Sequence, residues 1–182
     1  MPSTITHPWL NIHVITQPEP LRAGYHCLFE IVPRLLEQHK PEIVLHIGLA
    51  VERTYFAIEK GAERDGYHEF PDVDRKVFNK AETKSAWAKS SPRLNSSLDL
   101  EDVLGKWRAQ VGNGLDLRTS DDVGSYVCGF VYYTSLEYLW RRGNDLPAVF
   151  MHIPPLPDRG DVDRGMKVTL GLIRALAETI EV

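Results

Sequence analysis

Between Leu10 and Ile15 (LNIHVI) apolar and polar residues alternate, the pattern of a half-buried strand, and the QPEP that follows breaks it. From Leu21 to His39 the period changes. Leu28, Ile31, Val32, Leu35 and Leu36 fall at i, i+3, i+4, i+7 and i+8, which predicts a helix with one face on a core. After Pro41 the run EIVLHIG reads as a short strand buried on both faces and stopped at Gly48. A strand, a helix and a strand therefore fill the first 48 residues.

From Gly66 through Ser97 the chain is polar and without a clear period, which predicts a long excursion with at most short elements, residues 72–97 lying on the surface. Leu98 to Val111 then reads as a helix capped by Asp99, with Val103, Leu104 and Trp107 facing inward and the Asn113-Gly114 pair ending it. Leu115 to Arg118 is a candidate short strand. Cys128 to Arg141 places Val131, Tyr132, Leu136 and Leu139 at helical spacing and closes on Arg141, Arg142 and Gly143, a basic last turn with a glycine stop. Ala148 to Ile153 (AVFMHI) is a second buried strand. Asp161 to Ile180, with Met166, Leu170, Ile173, Ala177 and Ile180 on one face, is the last helix. Alternating strands and helices predict a single α/β domain over residues 1–182, three layers deep, with a mostly parallel twisted sheet covered by helices on both faces.

Composition narrows the function classes. A net charge of −4 lacks the basic excess that binding a phosphate backbone demands, so nucleic acid is not an expected partner. No apolar run reaches the 18 or so residues of a membrane span and the first residues carry no signal-like pattern, so the reading is a cytoplasmic protein with no membrane association. The seven histidines form no HxxxH and no CxxC occurs, so neither metal nor cofactor is expected. Two cysteines are not a disulfide framework; in a reducing compartment one of them, with a histidine elsewhere, becomes a candidate nucleophile.

In a parallel α/β sheet, ligands gather at the carboxyl ends of strands. Three polar residues fall near such ends. Cys128 opens a predicted helix, whose free N–H groups and dipole favour a thiolate over a thiol. His152 closes the apolar strand AVFMHI, and Glu59 lies in ERTYFAIEKGAER, shortly after the strand that stops at Gly48. A cysteine, a base and a carboxylate that orients the base make a thiol acyl-transfer site. The same three residues also read as a small buried filler, a core histidine bonded to a carbonyl and a solvated surface charge.

Three segments, HIGLAVERTYFAIEKGAERDGY from His46, GSYVCGFVYYTSL from Gly124 and AVFMHIPPLP from Ala148, resemble the pyroglutamyl peptidase I (pyrrolidone-carboxylate peptidase) family, in the family's own order and closer to its eukaryotic branch. The resemblance covers nearly the whole chain and is weakest from Asp72 to Ser97. It implies a cytosolic cysteine omega-peptidase, without cofactor, that hydrolyses an N-terminal 5-oxoproline from small peptides through a thioester. Cys128 is then the nucleophile, His152 the general base and acid, and Glu59 the carboxylate that orients His152. The backbone N–H of Cys128 is an expected oxyanion donor, and Tyr126, Val127 and Phe70 are expected walls of the pyrrolidone pocket.

The chain also departs from the family pattern. It has nothing like the family's first strand and GFGPF-like loop, and Glu52 and Arg64 stand where the family has glycine and often asparagine. A sheet without an internal strand exposes backbone and apolar surface, so self-association into a homo-oligomer is expected. The alternative to a peptidase is a truncated, inactive or repurposed relative that serves as a binding or scaffold domain.

Overall fold

In the computed structural model, which describes residues 3–7, 10–143 and 147–180, the chain opens with β1 (Thr4–Thr6), β2 (Asn11–His13), α1 (Tyr25–His39), β3 (Val44–Leu49), β4 (Phe56–Glu59) and β5 (Gly61–Glu63). It continues with α2 (Lys80–Trp87), β6 (Arg93–Asn95), α3 (Leu100–Val111), β7 (Leu117–Ser120), α4 (Val127–Arg141), β8 (Ala148–Ile153) and α5 (Arg159–Ile180). Four strands form the central sheet in the order β3-β8-β4-β7. β3 runs parallel to β8 and β4 parallel to β7, while β4 and β8 are antiparallel, so the sheet is mixed and mostly parallel. Helices cover both faces, as the alternation of elements predicts. Two small antiparallel ribbons, β1-β2 and β5-β6, lie outside this sheet.

The helix ends follow from local chemistry. Asn79 and Glu82 form a reciprocal capping box on α2, and the Asp99 carboxylate accepts the N–H groups of Glu101 and Asp102 at the start of α3. α1 has no cap of its own at Gly24; Asp72 supplies one from a distant segment, its Oδ2 accepting the Tyr25 N–H at 2.8 Å. Oδ1 of the same carboxylate accepts the N–H groups of Asp74 and Lys76, which pins that loop to the helix start.

Because side chains alternate across a strand, the sheet has two different faces. Phe56, Ile58, Leu117, Val149 and Met151 pack against α3 and α5 in one core, where the Trp107 indole N–H donates to the Val168 carbonyl at 2.9 Å. Ala148 and Phe150 point the other way, into a second core built from α1, α4 and the aromatic residues Tyr67, Phe78 and Trp87.

Three expectations need correction here. The strand ending at Gly48 is not buried on both faces: β3 is an edge strand with β8 on one side only among the described residues, and Ile47 and Leu49 are 48% and 55% exposed. An apolar run meets the needs of a central strand and of a half-covered edge equally, and only the neighbours distinguish them. The segment 72–97 forms only short elements and is open to solvent along most of its length, as expected, but it is not wholly a surface excursion. It folds into α2 and β6 and delivers Phe78 and Trp87 to the core, Trp87 at 1% exposure, because two spaced aromatic residues bury enough apolar area to anchor an otherwise polar stretch. β4, absent from the sequence-based reading, has four buried residues in a row (FAIE), and its charged end hides the strand pattern.

Candidate active site

Register puts Glu59 and His152 on the sheet face beneath the helix that carries Cys128. Gly48 pairs with His152 across β3 and β8, Ala57 with His152 and Glu59 with Phe150 across β4 and β8, and Glu59 with Ser120 across β4 and β7. With a period of two, Gly48, His152, Glu59 and Ser120 all face the α4 side of the sheet. Glu59 and His152 are diagonal neighbours in an antiparallel pair, close enough for their side chains to meet. They do: the His152 imidazole donates from Nδ1 to Glu59 Oε1 at 2.7 Å, with both groups buried. That bond leaves the proton on Nδ1 and Nε2 as the acceptor, the form a general base requires.

A charge at 0% exposure needs an opposite charge, and Arg53 supplies it from the loop between β3 and β4. Its Nη1 donates to the same Glu59 oxygen at 2.5 Å, and its Nη2 donates to the Asp122 carbonyl at 2.6 Å. Burial alone pushes the Glu59 carboxyl up; hydrogen bonds from His152, Ser120 and Arg53 outweigh it and hold the group below its ordinary value of 4.5.

Cys128 is the second residue of α4. The first intrahelical bond closed at this end runs from the Phe130 N–H to the Tyr126 carbonyl, so the N–H groups of Val127, Cys128 and Gly129 have no partner within the helix. The helix start is packed tightly: a Cβ at Gly129 would stand 2.1 Å from the carbonyl oxygen of Gly124, itself at φ +80°. Below it, a Cβ at Gly48 would stand 3.0 Å from the Cys128 sulfur and 2.6 Å from the Phe150 ring. The bare backbone of Gly48 is therefore what lets the thiol rest on the sheet, beside the strand that carries His152. One turn along α4, the Tyr132 hydroxyl reaches the carbonyls of Glu59 at 3.0 Å and Ala148 at 3.2 Å, tying the cysteine helix to both strands below.

The expected thiolate is not the resting form. Burial, reinforced by the Glu59 charge and only partly countered by Arg53, pushes the Cys128 thiol up to about 11. Desolvation is the largest cause. Among the described residues no hydrogen bond joins the sulfur to the His152 ring, so the structure brings the cysteine to the same face without closing that contact.

The expected pocket walls differ in character. Val127 is buried and, with Gly48, Cys128 and Phe150, lines a groove of about 1300 Å³ that runs beside β3 and beneath residues 10–21. Tyr126 and Phe70 are 41% and 54% exposed. Each contacts Tyr25, whose ring lies edge-on to the Tyr126 ring at 6.1 Å and whose hydroxyl donates to the Phe70 backbone carbonyl at 3.1 Å. Sequence reasoning missed Arg53, Gly48, Ser120 and Tyr132. The signal for Arg53 was present: a glutamate at the end of an apolar strand demands a cation nearby. Among the described residues no group of three or more His, Cys, Asp or Glu side chains is arranged to hold a metal ion, and no helix is long and apolar enough to cross a membrane.

Known proteins of one family resemble this chain in sequence and fold. A sequence profile described as pyroglutamyl peptidase matches residues 12–180. Human pyroglutamyl-peptidase 1 is 26% identical over 172 residues, which is 94% of this chain and 76% of that protein. The pyrrolidone-carboxylate peptidase of Pyrococcus furiosus is 28% identical over 130 residues, covering 71% of this chain and 60% of its own. The solved structure of pyrrolidone carboxyl peptidase from Thermococcus litoralis superposes with a TM-score of 0.73 at 21% identity, over 88% of this chain and 77% of that one, and carries the likeness of fold.

Proposed function

We propose, from the premise that the chain belongs to the pyroglutamyl peptidase family, that it is a cysteine omega-peptidase removing an N-terminal pyroglutamyl residue from small peptides. The observation that carries the reading is the buried bond between Glu59 and His152 Nδ1, set on the same sheet face as a cysteine at a helix N-terminus. Since the free thiol is protonated, His152 acts first. Nε2 takes the proton as Sγ attacks the pyroglutamyl carbonyl carbon, and the N–H groups at the start of α4 receive the developing oxyanion. Collapse breaks the peptide bond, and the leaving amine takes the proton from Nε2. Water then attacks the thioester, gives its proton to Nε2 and from there to Sγ, and pyroglutamate leaves. Val127, which lines the groove with Cys128, is the apolar wall of the ring in this reading, and Tyr126 and Phe70, which lie outside that groove against Tyr25, are its less supported walls.

The test is turnover of a pyroglutamyl amide of a fluorescent amine by freshly reduced, folded protein. Wild type is expected to release the amine and Cys128→Ala to release none; absence of turnover by the wild type would sink the reading. A second reading, a binding domain that kept the site but not the activity, is favoured by the high thiol value and by the exposure of Tyr126 and Phe70. Saturable binding of a pyroglutamyl peptide without release of amine is its signature. Self-association through the open edge of β3 belongs to the same proposal, and a monomer on sizing would remove it.

A further inference from the structure

We propose that Arg53 is the positioning residue of this site, a single guanidinium that fastens the Glu59 carboxylate to the loop feeding the cysteine helix. The claim rests on Cys128 as the nucleophile and not on the identity of the substrate. Arg53 is well placed to do two things that a neutral residue cannot. Nη1 holds Glu59 Oε1, the oxygen that also orients His152, while Nη2 holds the Asp122 carbonyl and lies 3.4 Å from Ser120 Oγ. β7 ends at Ser120 and α4 begins at Val127, so this one side chain spans the acid of the site and the approach to its nucleophile. A planar fork with several donors makes such a bridge; a lysine ammonium, a point charge, does not.

The second action is electrostatic. The groups around the Glu59 carboxylate are His152 on β8, Ser120 on β7, Cys128 on α4 and Arg53 itself, while the Tyr132 hydroxyl bonds the Glu59 backbone carbonyl. Lys60, next along the chain, is turned away to Glu101 at 3.3 Å. Arg53 is thus the cation facing Glu59 among the described residues besides the imidazole, which is neutral when it acts as a base. Its charge opposes the negative field that Glu59 casts on the sulfur, so the carboxylate orients His152 while suppressing ionisation of Cys128 less than it would without the arginine.

The experiment compares wild type, Arg53→Lys and Arg53→Met by the rate of Cys128 alkylation with iodoacetamide from pH 7 to 11, with Cys27 replaced by Ser throughout, and by turnover of the pyroglutamyl amide. Loss of charge in Arg53→Met is expected to move the alkylation profile to higher pH and to slow alkylation at pH 8 by about tenfold, the effect of one pKa step. Arg53→Lys keeps the charge but not the bridge, so its alkylation profile stays near wild type while kcat falls by about tenfold or more. Alkylation profiles that coincide for wild type and Arg53→Met overturn the electrostatic action, and wild-type kcat in Arg53→Lys overturns the bridge. If Arg53→Met does not fold, Arg53→Gln, which also removes the charge but keeps a polar side chain, replaces it in the alkylation series. If the wild type turns over no pyroglutamyl amide, the functional reading fails while the alkylation profiles still test Arg53.

Discussion

Glu59 is the residue whose environment says most about the site. A carboxylate with no exposure, held by Arg53 and His152 through one oxygen, is stable only as long as it stays ionised. Its folded value lies below 4.5, so its stabilising contribution is present above that pH and is lost as the pH falls through the lowered folded value. Glu59→Gln should therefore be less stable than wild type at pH 7, and the gap between their urea midpoints should narrow below pH 4.5. The same variant separates the two jobs of the carboxylate. Without its charge the Cys128 thiol ionises more readily and alkylates faster at pH 9, yet turnover drops because His152 loses its orientation. Slower alkylation in Glu59→Gln would contradict that assignment. His46, on the same sheet face, is a different kind of histidine. Its Nε2 lies 2.8 Å from the buried Ser135 hydroxyl and desolvation lowers it to about 4, so it stays neutral at physiological pH as a packing residue.

At the scale of elements, the start of α4 is where local sequence and tertiary packing meet. Gly124 turns the chain at a positive φ, and its carbonyl lies over Gly129 so closely that no side chain fits between them. Gly129→Ala is expected to cost about 1–3 kcal/mol by overpacking, read as a lower denaturant midpoint, and to reduce turnover by displacing the thiol. An unchanged midpoint would mean that the loop yields freely. α4 itself is buried nearly all round, from Val127 through Leu139, because the sheet lies below it and α1 and the β5-β6 ribbon flank it. A helix enclosed in this way transmits position rather than flexing, and Tyr132 makes the link explicit by bonding two strand carbonyls. The boundaries of α3, α4 and β8 were legible from caps and apolar runs. β4 was not, since four consecutive buried residues ending in a charge match neither a period of two nor one of 3.6.

Across the whole molecule, the two faces of the sheet divide the labour. The face toward α3 and α5 is apolar and supplies stability; the face toward α4 carries the polar groups. Ile58→Ala, on the first face at 0% exposure, is expected to cost about 2–5 kcal/mol. Ile47→Ala, on the open edge strand, should cost less than about 1 kcal/mol. Equal losses in thermal or urea unfolding would show that the β3 edge is covered in solution. By itself the sequence determined the alternation of strands and helices, the three polar residues near strand and helix ends, and through motif order the family; these are local properties, written in period, capping and composition. Only the tertiary structure decided that β4 runs antiparallel to β8, which makes Glu59 and His152 diagonal neighbours, and that Arg53 neutralises the carboxylate. It also decided that burial and the nearby Glu59 charge raise the Cys128 thiol. Pairing direction and desolvation depend on what lies alongside in space, and no spacing along the chain records that.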